Sequence, residues 1–132
     1  DTSMARRMFA MFKDCSSLES IDVSSFETGR VVVMSCMFEG CSSLKELDLS
    51  GFDTSRVADM RCMFQGCIAL EKLDLTGFRF RKGVKLAGFA ADCGTAGAAL
   101  LESIVRRRRE GEGGDAHRRL GDIKLETIER SR

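Results

Sequence analysis

One sentence is written three times in this chain, always 26 residues apart: "MFKDCSSLESIDVSSF" at 11–26, "MFEGCSSLKELDLSGF" at 37–52 and "MFQGCIALEKLDLTGF" at 63–78. Repetition at such a period marks an array of stacked units and constrains the fold more than any single motif. The register is strict. Cys15, Cys41 and Cys67 are equivalent, as are Phe12, Phe38 and Phe64, and Phe26, Phe52 and Phe78. The opening "DTSMARRMF" aligns with "DTSRVADMRCMF" when Met8 is placed on Met60, so the chain is expected to begin inside a unit.

Within a unit the hydrophobic period changes. In "LKELDL", Leu47 and Leu49 alternate with Glu46, Asp48 and Ser50, which is strand periodicity. Then comes "FDTS", where Thr54 or Ser55 could cap a helix start by accepting an orphan backbone N–H. Val57, Met60, Met63 and Phe64 follow at helical spacing, and Gly66 stands where a helix end favours positive φ. The expected unit is strand, turn, short helix, glycine stop. A single unit cannot bury both of its apolar edges, whereas stacked units can. The fold class expected is therefore an α/β repeat: a leucine-rich-repeat solenoid with short parallel strands on one wall and short helices on the other.

The run "MFEGCSSLKELDLSGFDTSRVADMRCMF" resembles the BspA-like leucine-rich-repeat surface proteins, a repeat type also common in mycoplasma lipoproteins. The resemblance covers residues 1–78 well and 79–104 weakly. Glu27 and Gly29 depart from it in the second turn. It implies a cell-surface or secreted setting, host or matrix proteins as ligands in some members, and room for a membrane anchor in the parent protein.

The solenoid is expected over 1–104: a partial repeat at 1–10, repeats at 11–36, 37–62 and 63–78 onward, and a degenerate unit at 79–104. In that last unit Cys93, Leu86 and Phe89 fall on Cys67, Met60 and Met63, and Ala96, Ala99, Leu101 and Ile104 continue the register. An amphipathic capping helix through "AGAALLESIVRRRRE" is an equal alternative. Residues 105–132 read as a basic, flexible tail. Residues 1–78 carry 8 Lys/Arg and 12 Asp/Glu, net −4, whereas 79–132 carry 13 and 8, net +5. No apolar run is long enough to span a membrane.

Three constellations could carry chemistry. The cysteines occupy two repeat positions, Cys15, Cys41, Cys67 and Cys93 in one series and Cys36 and Cys62 in the other. The pairs Cys36/Cys41 and Cys62/Cys67 could supply four zinc thiolates. Yet Ala10 and Gly88 replace the first cysteine of the pair in other units, so buried packing thiols are the favoured reading, over disulfides and over a metal. The second constellation is a column of aspartates, Asp22, Asp48 and Asp74, on the open side of the strands. Ser20, Ser24, Glu46, Ser50, Lys72 and Thr76 surround it. Like charges at strand spacing repel, so hydroxyls, Lys72, a cation or a basic partner must compensate. The third is the tract Arg106–Arg109, continued by Arg118 and Arg119. Glu110, Glu112 and Asp115 interrupt it, and no aromatic is interleaved for base stacking, which disfavours nucleic acid.

Enzymatic parts are missing: the sole histidine, His117, lies in the tail, and no phosphate-cradling glycine loop follows a strand. The expectation is a non-enzymatic binding or adhesion module, without cofactor or metal, that takes a protein ligand on the exposed sheet face. The contact residues would be Ser20, Asp22, Ser24, Glu46, Asp48, Ser50, Lys72, Asp74 and Thr76. The alternatives are an intracellular scaffold whose tail contacts nucleic acid or anionic lipid, and a non-functional fragment of a longer array.

Overall fold

A computed structural model describes residues 4–94 and the backbone of 117–118. Parallel bridges join Arg7 to Val33, Val33 to Asp59 and Asp59 to Lys85, each step being one repeat. Strands β1 (Glu46–Asp48) and β2 (Lys72–Asp74) pair in parallel with Leu47 opposite Leu73. Successive units thus lie on one another in the register of the repeat. The fourth unit follows the same path, because Met60, Phe64 and Gly66 donate their amides to Lys85, Phe89 and Ala91. The helical alternative beyond Gly94 falls outside the described residues.

The expected α/β leucine-rich-repeat solenoid is not what the chain forms. No helix occurs between residues 4 and 93, and the strands are only two or three residues long. The wall assigned to helices is a series of tight turns. The amides of Met34, Cys36, Phe38 and Gly40 donate across to Asp59, Arg61, Met63 and Gln65 at 2.8–2.9 Å. The intervening amides of Met37, Glu39 and Cys41 close turns onto Met34, Cys36 and Phe38 at 3.2–3.3 Å. Seven of the eight N–H groups from Met34 to Cys41 therefore have a backbone partner without any i→i−4 bond. The first and last of these three turns have positive φ at their third residue, Cys36 (φ 59°) and Gly40 (φ 76°), as type II turns require. Left-handed residues within one turn of each other exclude an α-helix.

The core lies between the two walls. Leu44, Leu49, Met60, Met63, Leu70, Phe38, Phe52, Phe64, Phe78, Phe80 and Phe89 are almost wholly buried, Phe12 and Phe26 pack against them partly buried, and Phe9 is exposed. Phe12, Phe38 and Phe64 stack face to face at 5.4 and 5.8 Å, and Phe26, Phe52 and Phe78 at 6.4 and 6.5 Å. Both columns end in non-parallel contacts. Phe89 meets Phe64 edge-on at 5.2 Å, and Phe80 tilts against Phe78 and meets Phe89 edge-on.

Thr54 also departs from expectation. It caps no helix and is fully buried. Its hydroxyl donates to the Arg79 carbonyl and accepts from the Arg79 amide, each at 2.8 Å. Thr28 joins Asp53 in the same way, at 3.2 and 2.8 Å. The next position in this series is Phe80, which cannot make the staple and fills the core instead. There β3 (Phe80–Arg81) pairs antiparallel with β4 (His117–Arg118), so one piece of the basic segment returns to the body of the chain.

Candidate functional site

The strand wall presents the aspartate column. Alternation along β1 buries Leu47 and exposes Glu46 and Asp48, and Leu49 is buried again before exposed Ser50. The parallel register sets Glu46 beside Lys72 and Asp48 beside Asp74. Neighbouring strands lie about 4.8 Å apart, so opposite and like charges alternate along the wall. All nine residues predicted for this face are exposed: Ser20, Asp22, Ser24, Glu46, Asp48, Ser50, Lys72, Asp74 and Thr76. Six of them belong to the two units joined by β1 and β2 or to the turns that leave those strands. Ser20, Asp22 and Ser24 keep the alternation without strand pairing, and the units meet nearby where the Lys45 amide donates to Glu19.

Each aspartate is held by its own turn. The amides of Ser24, Ser50 and Thr76 donate to the Oδ1 atoms of Asp22, Asp48 and Asp74 at 2.9–3.0 Å. The Thr76 hydroxyl adds a further bond to Asp74. Hydrogen bonds from the side chain and then the backbone of Ser24 lower the pKa of Asp22, and Ser50 acts likewise on Asp48. Of the compensations the sequence allowed, the hydroxyl residues two places on are in position. These bonds fix the outward aim of each carboxylate and leave its second oxygen to meet a partner.

The cysteines separate into two environments, and none forms a disulfide. Cys41 and Cys67 donate their thiols to the carbonyls of Phe12 and Phe38, both at 3.1 Å. Burial pushes Cys41 up to about 11 and Cys93 up to about 12, and raises Cys67 as well. These are protonated packing thiols, as the favoured reading of their series expects. The four-thiolate arrangement of Cys36, Cys41, Cys62 and Cys67 does not converge, because Cys41 and Cys67 turn to backbone carbonyls. Cys36 and Cys62 stand at left-handed turn corners, φ 59° and 58°, which sequence periodicity did not disclose, and the Cys62 thiol donates to the Ala87 carbonyl at 3.7 Å.

The Arg106–Arg109 tract lies outside the described residues. No helix among the described residues is long and apolar enough to cross a membrane. The family model described as "Mycoplasma protein of unknown function, DUF285" matches residues 1–94, the part that carries the stacked units. No curated protein and no solved structure is significantly similar to the chain.

Proposed function

We propose that this chain, which belongs to the DUF285 family of mycoplasma proteins of unknown function, is a non-enzymatic module that binds an extended basic protein segment on its strand wall. The observation that carries this reading is the exposed column of Asp22, Asp48 and Asp74, each aimed by a bond from its own turn. Such a column offers one carboxylate per repeat at strand spacing. An extended segment laid across the strands could match it with lysine or arginine at similar intervals, each charge-assisted bond being stronger than a neutral one. Uncharged residues would leave three carboxylates unanswered. The resemblance to BspA-like repeats supports a cell-surface or secreted setting, in which such a segment would belong to a host or matrix protein.

A peptide array tests this with basic, neutral and acidic extended sequences probed by the full chain. Basic peptides should be captured, capture should weaken with salt, and the Asp22→Asn, Asp48→Asn, Asp74→Asn triple variant should lose it. Asparagine keeps the Oδ1 acceptor, so the turns remain closed. Capture indifferent to peptide charge, or unchanged in the triple variant, would refute the proposal.

A further inference from the structure

We propose that Cys36, Cys62 and Glu39 form a binding site for a divalent cation of the zinc type. Their ligand atoms, two Sγ and one carboxylate oxygen, all lie within 4.8 Å of one another. The sequence argues against a metal by pairing each cysteine with its neighbour five residues on. The fold pairs them differently, stacking the equivalent thiols of two adjacent units and bringing in Glu39 from the turn that Cys36 opens. That turn is closed by the bond from the Glu39 amide to the Cys36 carbonyl at 3.2 Å.

The donor set matches the chemistry of zinc. Thiolates bind zinc at about 2.3 Å and carboxylates at about 2.0–2.2 Å, and three protein ligands leave a fourth position for water or another group. A small inward movement of three side chains on short turns would bring the ligands to those distances. Two sulfurs exclude calcium and magnesium, which take oxygen ligands, and favour a thiophilic ion. Each thiol gives its proton to solvent as it coordinates.

Packing alone does not call for these side chains. The corner held by Cys36 and Cys62 is held by Ala10 and Gly88 in the flanking units, with the same positive φ. The place of Glu39 is taken by Lys13, Gln65 and Ala91. Among the described residues, two sulfurs and a carboxylate converge where the second and third units stack. The charge environment is mixed. Lys13 Nζ lies 3.4 Å from Glu39 Oε2 and the Cys62 thiol donates to the Ala87 carbonyl at 3.7 Å, and a cation would have to displace both. The Arg61 guanidinium, fixed on Asp59 by bonds of 3.0 and 2.8 Å, lies within electrostatic reach of both thiols.

The test is a titration of the full, reduced chain with Co²⁺, followed by displacement with Zn²⁺. One equivalent of cobalt should bind and give thiolate-to-metal charge-transfer bands with the visible bands of a four-coordinate ion, and zinc should abolish both. The bands should vanish in the Cys36→Ala, Cys62→Gly double variant, whose residues are those the flanking units use at this corner. They should persist in Cys41→Ala. Glu39→Gln should lower affinity by about tenfold or more, since removing even a group that only supports a ligand costs that much. Zinc should also raise the Tm of the unsubstituted chain, which keeps the test informative if the double variant folds poorly. Absence of the charge-transfer bands, their survival in the double variant, or a Tm indifferent to zinc would each overturn the proposal. So would a Cys36–Cys62 disulfide that forms on mild oxidation while the reduced chain binds no cobalt.

Discussion

The Thr54 hydroxyl both donates to and accepts from the backbone of Arg79, one unit further along the stack, at 2.8 Å in each direction. One buried side chain thus satisfies an N–H and a C=O that have left the regular pairing. Thr54→Val keeps the volume and leaves both groups unanswered. Each buried unsatisfied group costs about 1–3 kcal/mol, so chemical denaturation should show a loss in that range or somewhat above it. Thr54→Ser keeps the hydroxyl and should lose much less.

Gly40 stands at φ 76°, and a Cβ placed there would come within 2.2 Å of Asp14 Oδ1. Gly40→Ala should cost more than the ~1–2 kcal/mol of a left-handed residue alone, because the Asp14 carboxylate must also move. Adding Asp14→Ala, which removes the carboxylate and keeps a side chain at the left-handed Asp14 (φ 59°), should recover the part due to the clash and leave the part due to φ at residue 40. Equal melting temperatures for the single and double variants would remove the clash from the account.

Leu47 is 3% exposed and faces Leu73 across the strand pair. Leu47→Ala should cost about 2–5 kcal/mol, measurable by urea unfolding. An unchanged midpoint would mean that the alternation along β1 is wrong.

Acid and alkali should act through different residues. Asp22 and Asp48 have pKa values lowered by their turn hydrogen bonds. Their contribution is complete above the unfolded value, about 3.9, and is lost as pH falls through the lower folded value. Residue-resolved NMR titration should place both below the ordinary carboxylate range. The thiols behave oppositely. Cys41 and Cys93 titrate at about 11 and about 12 in the folded chain, against about 8.5 when unfolded. The stability they lend is complete below pH ~8.5 and declines as pH rises toward the folded values. Iodoacetamide at neutral pH should therefore leave Cys41, Cys67 and Cys93 intact in the native chain and modify them in denaturant.

The 26-residue register could be read from the sequence; the fold class built on it could not, since no helix occurs between residues 4 and 93 and the strands are two or three residues long. The period placed Leu86 and Phe89 on Met60 and Met63, and the backbone pairing of the fourth unit follows that register. The alternation around Asp48 put nine residues on the outside, and all nine are exposed. The turn wall was misread because Val57, Met60, Met63 and Phe64 are buried at a spacing that helices also use. One signal was present in the sequence. Ala10, Cys36, Cys62 and Gly88 share a position that tolerates glycine in mid-segment, which suits a left-handed corner better than a helix interior. Thr54 was misread for a related reason. Asp-Thr-Ser is a good helix start, and only the neighbouring unit reveals that its hydroxyl is used across the stack. The convergence of Cys36, Glu39 and Cys62 depends on the same wall, so no helical reading could have found it.

The turn wall bonds from unit to unit and not within a helix. Scalar couplings transmitted through hydrogen bonds, measured by NMR on the labelled full chain, test it directly. A coupling is expected between the Cys36 amide nitrogen and the Arg61 carbonyl carbon, whose bond is 2.8 Å long, and another between Phe38 and Met63 at 2.9 Å. Couplings from Cys36 to Val32 and from Phe38 to Met34, the i→i−4 pattern of an α-helix, would contradict it.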